Sequence, residues 1–222
     1  MIETLTDIFT SRHWQGTLPF IWRGLQLTLY ITFVGVIVGF FLGTAAGLAR
    51  LSKSKIIYGL ATIYIELVRG TPILVQALFL YYAITNFGIY FDAITAGIIA
   101  IAINAGAYIA EIVRGGVESI DKGQMEAGRS IGLSSVQTMR YIIWPQAIKR
   151  MIPPLGNQFI ISLKDTSVFA IISINEVTFL MRQYASSSAD TLVPYIMLCL
   201  AYLIITIPSM VILRRIERRL DV

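Results

Sequence analysis

Five long apolar runs constrain this 222-residue chain more than any other feature. They cover approximately residues 21–48, 56–85, 93–113, 155–174 and 192–213. A helix needs about 20 apolar residues to cross the hydrocarbon of a bilayer. No water is available there to satisfy backbone amides, so a crossing segment of this length has to be helical. Composition agrees: 14% of the residues are charged, against about one quarter in a soluble domain. The expected fold class is an all-α integral membrane protein of five transmembrane helices. It forms one domain, 1–222, because no linker or low-complexity stretch divides it. The segment Met1–Phe20, with Glu3, Asp7 and Arg12, is too polar and mixed for a cleavable signal peptide, so the first run is expected to remain as a helix.

Charge orients the runs. Of the 18 Lys and Arg residues, 13 fall on one side of the expected bilayer. They are Arg50, Lys53 and Lys55 after the first run, Arg114 to Arg150 between the third and fourth, and Arg214 to Arg219 after the fifth. Arg12, Arg23 and Arg182 fall on the other side, and Arg69 and Lys164 are embedded. The positive-inside rule then puts the N-terminus outside, the C-terminus in the cytoplasm and the loop 114–154 on the cytoplasmic face. Trp14, Trp22, Tyr81, Tyr82 and Tyr90 suit interfacial aromatic belts. The net charge of +5 is explained by this asymmetry, with no need for a nucleic-acid partner.

Soluble-enzyme chemistry finds little to work with. The single cysteine, Cys199, lies in an apolar run, and the single histidine, His13, has no companion for a metal site or for imidazole catalysis. No Gly-x4-Gly-Lys-Ser/Thr loop is present to cradle nucleotide phosphates, so the chain is not expected to bind or hydrolyse ATP. No cofactor is expected.

Within the runs, Gly35, Gly39, Gly43 and Gly47 recur at four-residue spacing, a smooth stripe suited to close helix contact. Arg69-Gly70-Thr71-Pro72 interrupts the second run, where Pro removes a donor and disfavours helix at Thr71. Thr71 either begins a second half-helix lining a polar path, or Arg69 is an interface anchor that pairs with Glu66. Asn104 and Tyr108 share a face of the third run, and Asn104 needs a partner there: the solute path or a neighbouring helix. Lys164, Asp165 and Ser167 sit in the fourth run. Charges at that depth have to be paired or wet, so they bridge to Glu66 and Arg69, bridge to a partner subunit, or touch the path. Glu176 reads as an acid facing solute or an outer partner, or as a solvated loop residue. Glu111 and Arg114 read as a helix-end pair.

The loop 114–154 is far longer than a bundle needs. Asp121 with Gln124 and Ser134 with Gln137 form two capping-box patterns. Gly132 follows Ile131 as a helix stop. These signals predict a helix over 122–131, a glycine turn, and a second helix towards Pro145.

Glu126-Ala127-Gly128, then Gly132, Ile142 and Trp144-Pro145, resembles the EAA loop of bacterial ABC-importer permeases with all spacings kept. Gly128 stands where the family has its third Ala, and Trp144 where it has Leu. Glu66 to Pro72, Asn104 to Glu111, Pro153 to Gln158 and Lys164 to Ser167 are similar to the polar amino acid branch of that family, its glutamine, histidine and arginine members. The resemblance implies a type I ABC-importer permease fold in the bacterial cytoplasmic membrane. It implies a second permease subunit (the same chain or a sister), a dimer of ATP-binding subunits and an external solute-binding protein. It also implies that Glu126, Ala127, Gly128, Gly132 and Pro145 form the ATPase-coupling element of an alternating-access importer. An ATP-independent amino acid channel or ion-coupled carrier is the competing reading; it leaves the capped cytoplasmic helices unexplained.

Overall fold

The computed structural model describes residues 12–188 and 191–220. Glu3 and Asp7 lie outside the described residues, as do the side chains of Arg12, His13 and Trp14. Among the described residues all regular structure is helical. The helices are α1 (Arg12–Arg50), α2 (Lys55–Arg69), α3 (Ile73–Leu78), α4 (Ala93–Glu118), α5 (Lys122–Ser130), α6 (Ser135–Thr138), α7 (Trp144–Asp165), α8 (Val177–Ser188) and α9 (Leu192–Leu220). A π-helical turn, Phe79–Ala83, and a 3-10 turn, Ile84–Phe87, follow α3; a second π turn, Met139–Ile143, leads into α7; Thr166–Ile172 is 3-10.

The body of α1, together with α4 and α9, is long and apolar enough to cross a membrane, and α2 with Ile73–Phe87 meets the same test only as a bent pair, a broken span or a re-entrant loop. The fourth run differs from its expected bounds of 155–174. Its helix starts at Trp144 and ends at Asp165, and the remainder tightens into the 3-10 segment. The second loop helix therefore does not stop at Pro145. The π turn lies immediately before it, spreading the carbonyls that a proline ring would otherwise strike, and the helix continues through Pro153 and Pro154.

The chain divides into two compact units. The first comprises Met1–Gly35, Ile73–Ile101 and Ile161–Ser209. Its core joins Leu25 of α1, Val177 and Met181 of α8, and Val193, Met197 and Ala201 of α9. Gly24 is in such close contact with α8 that a Cβ there would lie 2.5 Å from the Cα of Val177. In the same unit Asp92 caps α4, accepting from the Thr95 hydroxyl at 2.5 Å and its amide at 3.1 Å. The Thr95 hydroxyl, and then its amide, hold the Asp92 carboxyl below the usual carboxylate range.

The second unit comprises Val36–Pro72, Ala102–Ile160 and Met210–Val222. Here the glycine stripe of α1 meets α4 backbone to backbone. A Cβ on Gly39 would lie 2.9 Å from the Ala102 carbonyl oxygen, one on Gly43 2.5 Å from that of Gly106, and one on Gly47 2.6 Å from that of Ala110. Lipid tails are as apolar as leucine, so helices in a bilayer associate by such close fit.

The loop fold follows its capping residues. Ser134 accepts from the Gln137 amide at 3.2 Å and the Gln137 side chain accepts from the Ser134 amide at 2.8 Å, a complete capping box. The expected box at Asp121 is not made: its carboxylate caps the helix through the Gly123 amide at 2.6 Å, and the Gln124 side chain accepts from Gln146 instead. Gly132, at φ 89°, makes the turn between α5 and α6. Ser134→Ala is expected to cost about 1 kcal/mol of local stability. Hydrogen exchange at residues 135–138 should speed up while α4 is unchanged.

Candidate functional site

Two groups of residues carry chemistry that packing alone does not use. The first is the helix–turn–helix of the second unit. Gly128 is buried on the inner face of α5, where a Cβ would lie 2.5 Å from Thr138 Cγ2. A small residue is required there for α5 to lie against α6. The opposite face of α5 presents Glu126 and Ala127 to solvent. Gly132 and Pro145 are also exposed, and Ile131 and Val136, flanking the turn, are 75% and 76% exposed. Beside them lies an open groove of about 440 Å³ lined by Leu48, Met125, Ser135, Val136, Met139, Arg140 and Trp144. Glu126, Ala127, Gly128 and Gly132 are thus brought together, beside an apolar hollow whose one charged lining residue is Arg140. Pro145 lies one turn away, just inside α7.

The second group consists of polar residues within the apolar runs. In the second unit, Asn104 is buried on α4 and Tyr108, one turn on, is exposed. The Arg69 guanidinium lies 5.3 Å above the Tyr108 ring. Arg69 also reaches Glu111 at 3.6 Å, so the expected Glu66 pair gives way to a contact between helices. Glu111 accepts from Arg114 at 2.9 Å and faces Arg50 at 3.9 Å. What the sequence offers as a helix-end pair is one carboxylate on α4 that meets the ends of two other helices, α1 and α2. A signal was available: Arg50 follows the first run, Arg69 stands at the interruption of the second, and Glu111 is the acid on the third. Thr71 is exposed, and its hydroxyl donates back to the Leu67 carbonyl at 2.9 Å, so it finishes α2; the second half-helix begins later, at Ile73.

In the first unit, Lys164 is exposed and Asp165 half-buried at the end of α7, and neither forms an ion pair among the described residues. Thr166 is buried with its hydroxyl on the Leu163 carbonyl, and Ser167 is half-buried. Within the second unit Arg69 is paired with Glu111.

Glu176 corrects its expectation. It is neither a solvated loop acid nor an open contact point but is 0% exposed. Its two oxygens cap α8, accepting from the amides of Thr178 at 2.8 Å and Phe179 at 2.7 Å. The Tyr202 hydroxyl donates to it at 3.3 Å and lies 3.0 Å from the Thr178 hydroxyl. The cap has a physical cause: a carboxylate at a helix N-terminus satisfies free amides and meets the positive end of the helix. Glu176 therefore leaves the set of path residues.

Residues 15–222 match the family described as binding-protein-dependent transport system inner membrane component. The glutamine transport system permease protein GlnP of Escherichia coli (strain K12) is 44% identical over 207 residues, 92% of this chain and 94% of that protein. A solved amino acid ABC transporter with histidines superposes with a TM-score of 0.90 at 39% identity, over 93% of this chain and 97% of that one. The inward-facing methionine ABC transporter MetNI superposes with a TM-score of 0.78 at 19% identity, covering 95% of this chain and 99% of that one, and shares the fold. An all-helical chain with several apolar spans, a capped loop of EAA spacing and these relatives belongs to the inner-membrane components of binding-protein-dependent transport systems: it is a multi-pass ABC-importer permease.

Proposed function

We propose that this permease imports a polar amino acid, with glutamine as the first choice of substrate and a basic amino acid as the second. Permeases of this family work with ATPase subunits and a solute-binding protein; here the pore is read as two permease chains over two ATP-binding subunits. Glutamine is favoured by the GlnP relative, and the basic alternative by the transporter solved with histidines. The single observation that carries the mechanism is the exposed face of α5, Glu126 and Ala127, beside the hollow at Val136 and Trp144. It supports docking of α5 into the ATPase. The chain carries no nucleotide-binding loop of its own, so the work of concentrating a solute enters through a partner, and α5 is the rigid element presented for that contact. ATP-driven approach of the two ATPases carries α5 with it and opens the pore outward; hydrolysis resets it. The N-terminus is read as outside and the C-terminus as cytoplasmic.

Thr71, Asn104, Tyr108, Lys164, Asp165 and Ser167 are proposed for the solute path. Exposed Lys164 beside Asp165 offers opposite charges to a zwitterion's carboxylate and ammonium. Such charges at membrane depth are costly unless they face water, solute or a partner chain.

Reconstitution of the complete transporter in liposomes tests the reading. Uptake of labelled glutamine should require both ATP and the binding protein. Excess unlabelled arginine or histidine replacing glutamine as the effective competitor would favour the basic alternative. Uptake that continues without ATP would overturn the importer reading in favour of a channel or ion-coupled carrier.

A further inference from the structure

The ion cluster around Glu111 is larger than a helix-end pair requires, and its members are unequal. Glu111 faces Arg50, the last residue of α1, Arg69, the last residue of α2, and Arg114, one turn along α4. Arg114 has a second acid in Glu118. Arg50 is stacked over Tyr58 at 5.2 Å, with its Nε buried and without a hydrogen-bond partner. Three guanidinium groups thus converge on one carboxylate, and removing that carboxylate would leave three like charges facing one another in a partly desolvated site.

The three helices depend on this carboxylate to different degrees. α1 is already held to α4 by the contacts of Gly39, Gly43 and Gly47. For α2, two polar contacts to α4 stand out: the Tyr64 hydroxyl on the Ile103 carbonyl at 2.8 Å, and Arg69 on Glu111, with the Arg69 guanidinium over Tyr108. Directly after Arg69 the chain leaves helical geometry at Gly70-Thr71-Pro72. The last turn of α2 is closed locally by the Gly70 amide on the Glu66 carbonyl at 2.8 Å and by the Thr71 hydroxyl on the Leu67 carbonyl at 2.9 Å, and the Arg69 side chain ties that closed end to α4.

From α4 the contacts run on to the loop. Gly116 packs on Met151 of α7, Arg150 donates to the Ser119 carbonyl, and Gln146 reaches Gln124 of α5 at 3.3 Å. We infer that Arg69, Glu111 and Tyr108 form a latch through which movement of α5 and α4 is passed to the end of α2 and hence to the break at Gly70–Pro72. Arg69 and Glu111 are positioning residues in this reading; they need not touch the solute. The inference rests on the coupling reading of α5 given above.

The test uses the reconstituted transporter and measures labelled glutamine uptake and ATP hydrolysis in the same vesicles. Arg69→Gln should leave assembly and binding-protein-stimulated hydrolysis near normal while solute moved per ATP falls by roughly ten-fold, the scale of a coupling free energy between two sites. Arg69→Lys, which keeps the charge, should recover most of that ratio. Arg50→Gln should have little effect, because α1 keeps its glycine contacts. Glu111→Gln should reproduce the Arg69→Gln defect if it assembles, and the two Arg69 variants carry the test if it does not. An unchanged ratio in Arg69→Gln overturns the latch, as does a parallel fall of hydrolysis, assembly and uptake, which marks a merely structural contact. Wild-type vesicles that transport without ATP would instead overturn the coupling reading itself.

Discussion

Replacing Gly43 with leucine is expected to remove the protein from the membrane fraction. The stripe leaves no room: even a Cβ at Gly43 would lie 2.5 Å from the Gly106 carbonyl oxygen and 2.7 Å from Ile109 Cβ. One of these atoms is backbone and the other a branch point of a buried side chain, so neither can swing aside. α1 and α4 would have to separate by an ångström or more. Overpacking of this kind costs about 1–3 kcal/mol per site and more where backbone is struck, a large part of the total of about 5–15 kcal/mol that holds a folded protein together. Fluorescence-detected size exclusion of tagged chain should show loss of the monodisperse peak. Gly115→Ala is the control. It lies on the partner helix α4 with nothing within 4 Å of the added Cβ, and alanine is the better helix former by about 1 kcal/mol, so that variant should accumulate at least as well as wild type. Equal loss in both variants would mean that the stripe is not a helix contact.

A second large effect is expected at the turn between α5 and α6, and there stability and transport should separate. Gly132 has φ 89° and nothing within 4 Å of a Cβ, so the penalty for a side chain is purely one of backbone conformation. For β-branched valine, holding positive φ costs about 1–3 kcal/mol. The exposed loop is free to relax instead, and relaxing it re-aims α5. Gly132→Val should therefore insert and accumulate normally but lose ATP-driven uptake by roughly ten-fold or more, since every 1.4 kcal/mol of misalignment is a factor of ten. Gly132→Asn, which tolerates left-handed backbone, should keep most of it. Glu126→Lys should resemble Gly132→Val in normal accumulation and lost uptake, because Glu126 is exposed and contributes nothing to the core. Uptake by Gly132→Val at the wild-type rate would remove the turn from the coupling element.

What could be read from the sequence, and what could not, divides along a physical line. Features set by local backbone chemistry were readable: the break at Gly70–Pro72, the box at Ser134 and Gln137, and the turn at Gly132. The glycine stripe was readable as well, because its four-residue spacing needs no knowledge of the partner helix. Features that depend on which distant residue comes near were not. Glu176 looks like a surface acid until Tyr202 and the free amides of α8 enclose it. The helix α8 itself was not expected, since its Ser-rich end resembles a loop and its apolar face has meaning only against Leu25 and Met197. The same holds for Arg69, whose near neighbour in sequence is Glu66 and whose partner in the fold is Glu111.

The contact of Gly39, Gly43 and Gly47 with α4 also bears on how the protein behaves outside its native lipid. Where two helices meet without side chains between them, little apolar surface is shielded from water, because little water was there to begin with. What holds the pair together is that an acyl chain is too thick to fill the shallow seam left if they part. A short-tailed detergent, loosely packed and rapidly exchanging, surrounds parted helices more readily than a long-chain or sterol-like detergent does. The solubilising agent, more than salt or temperature, is thus what this seam should respond to when the permease is extracted.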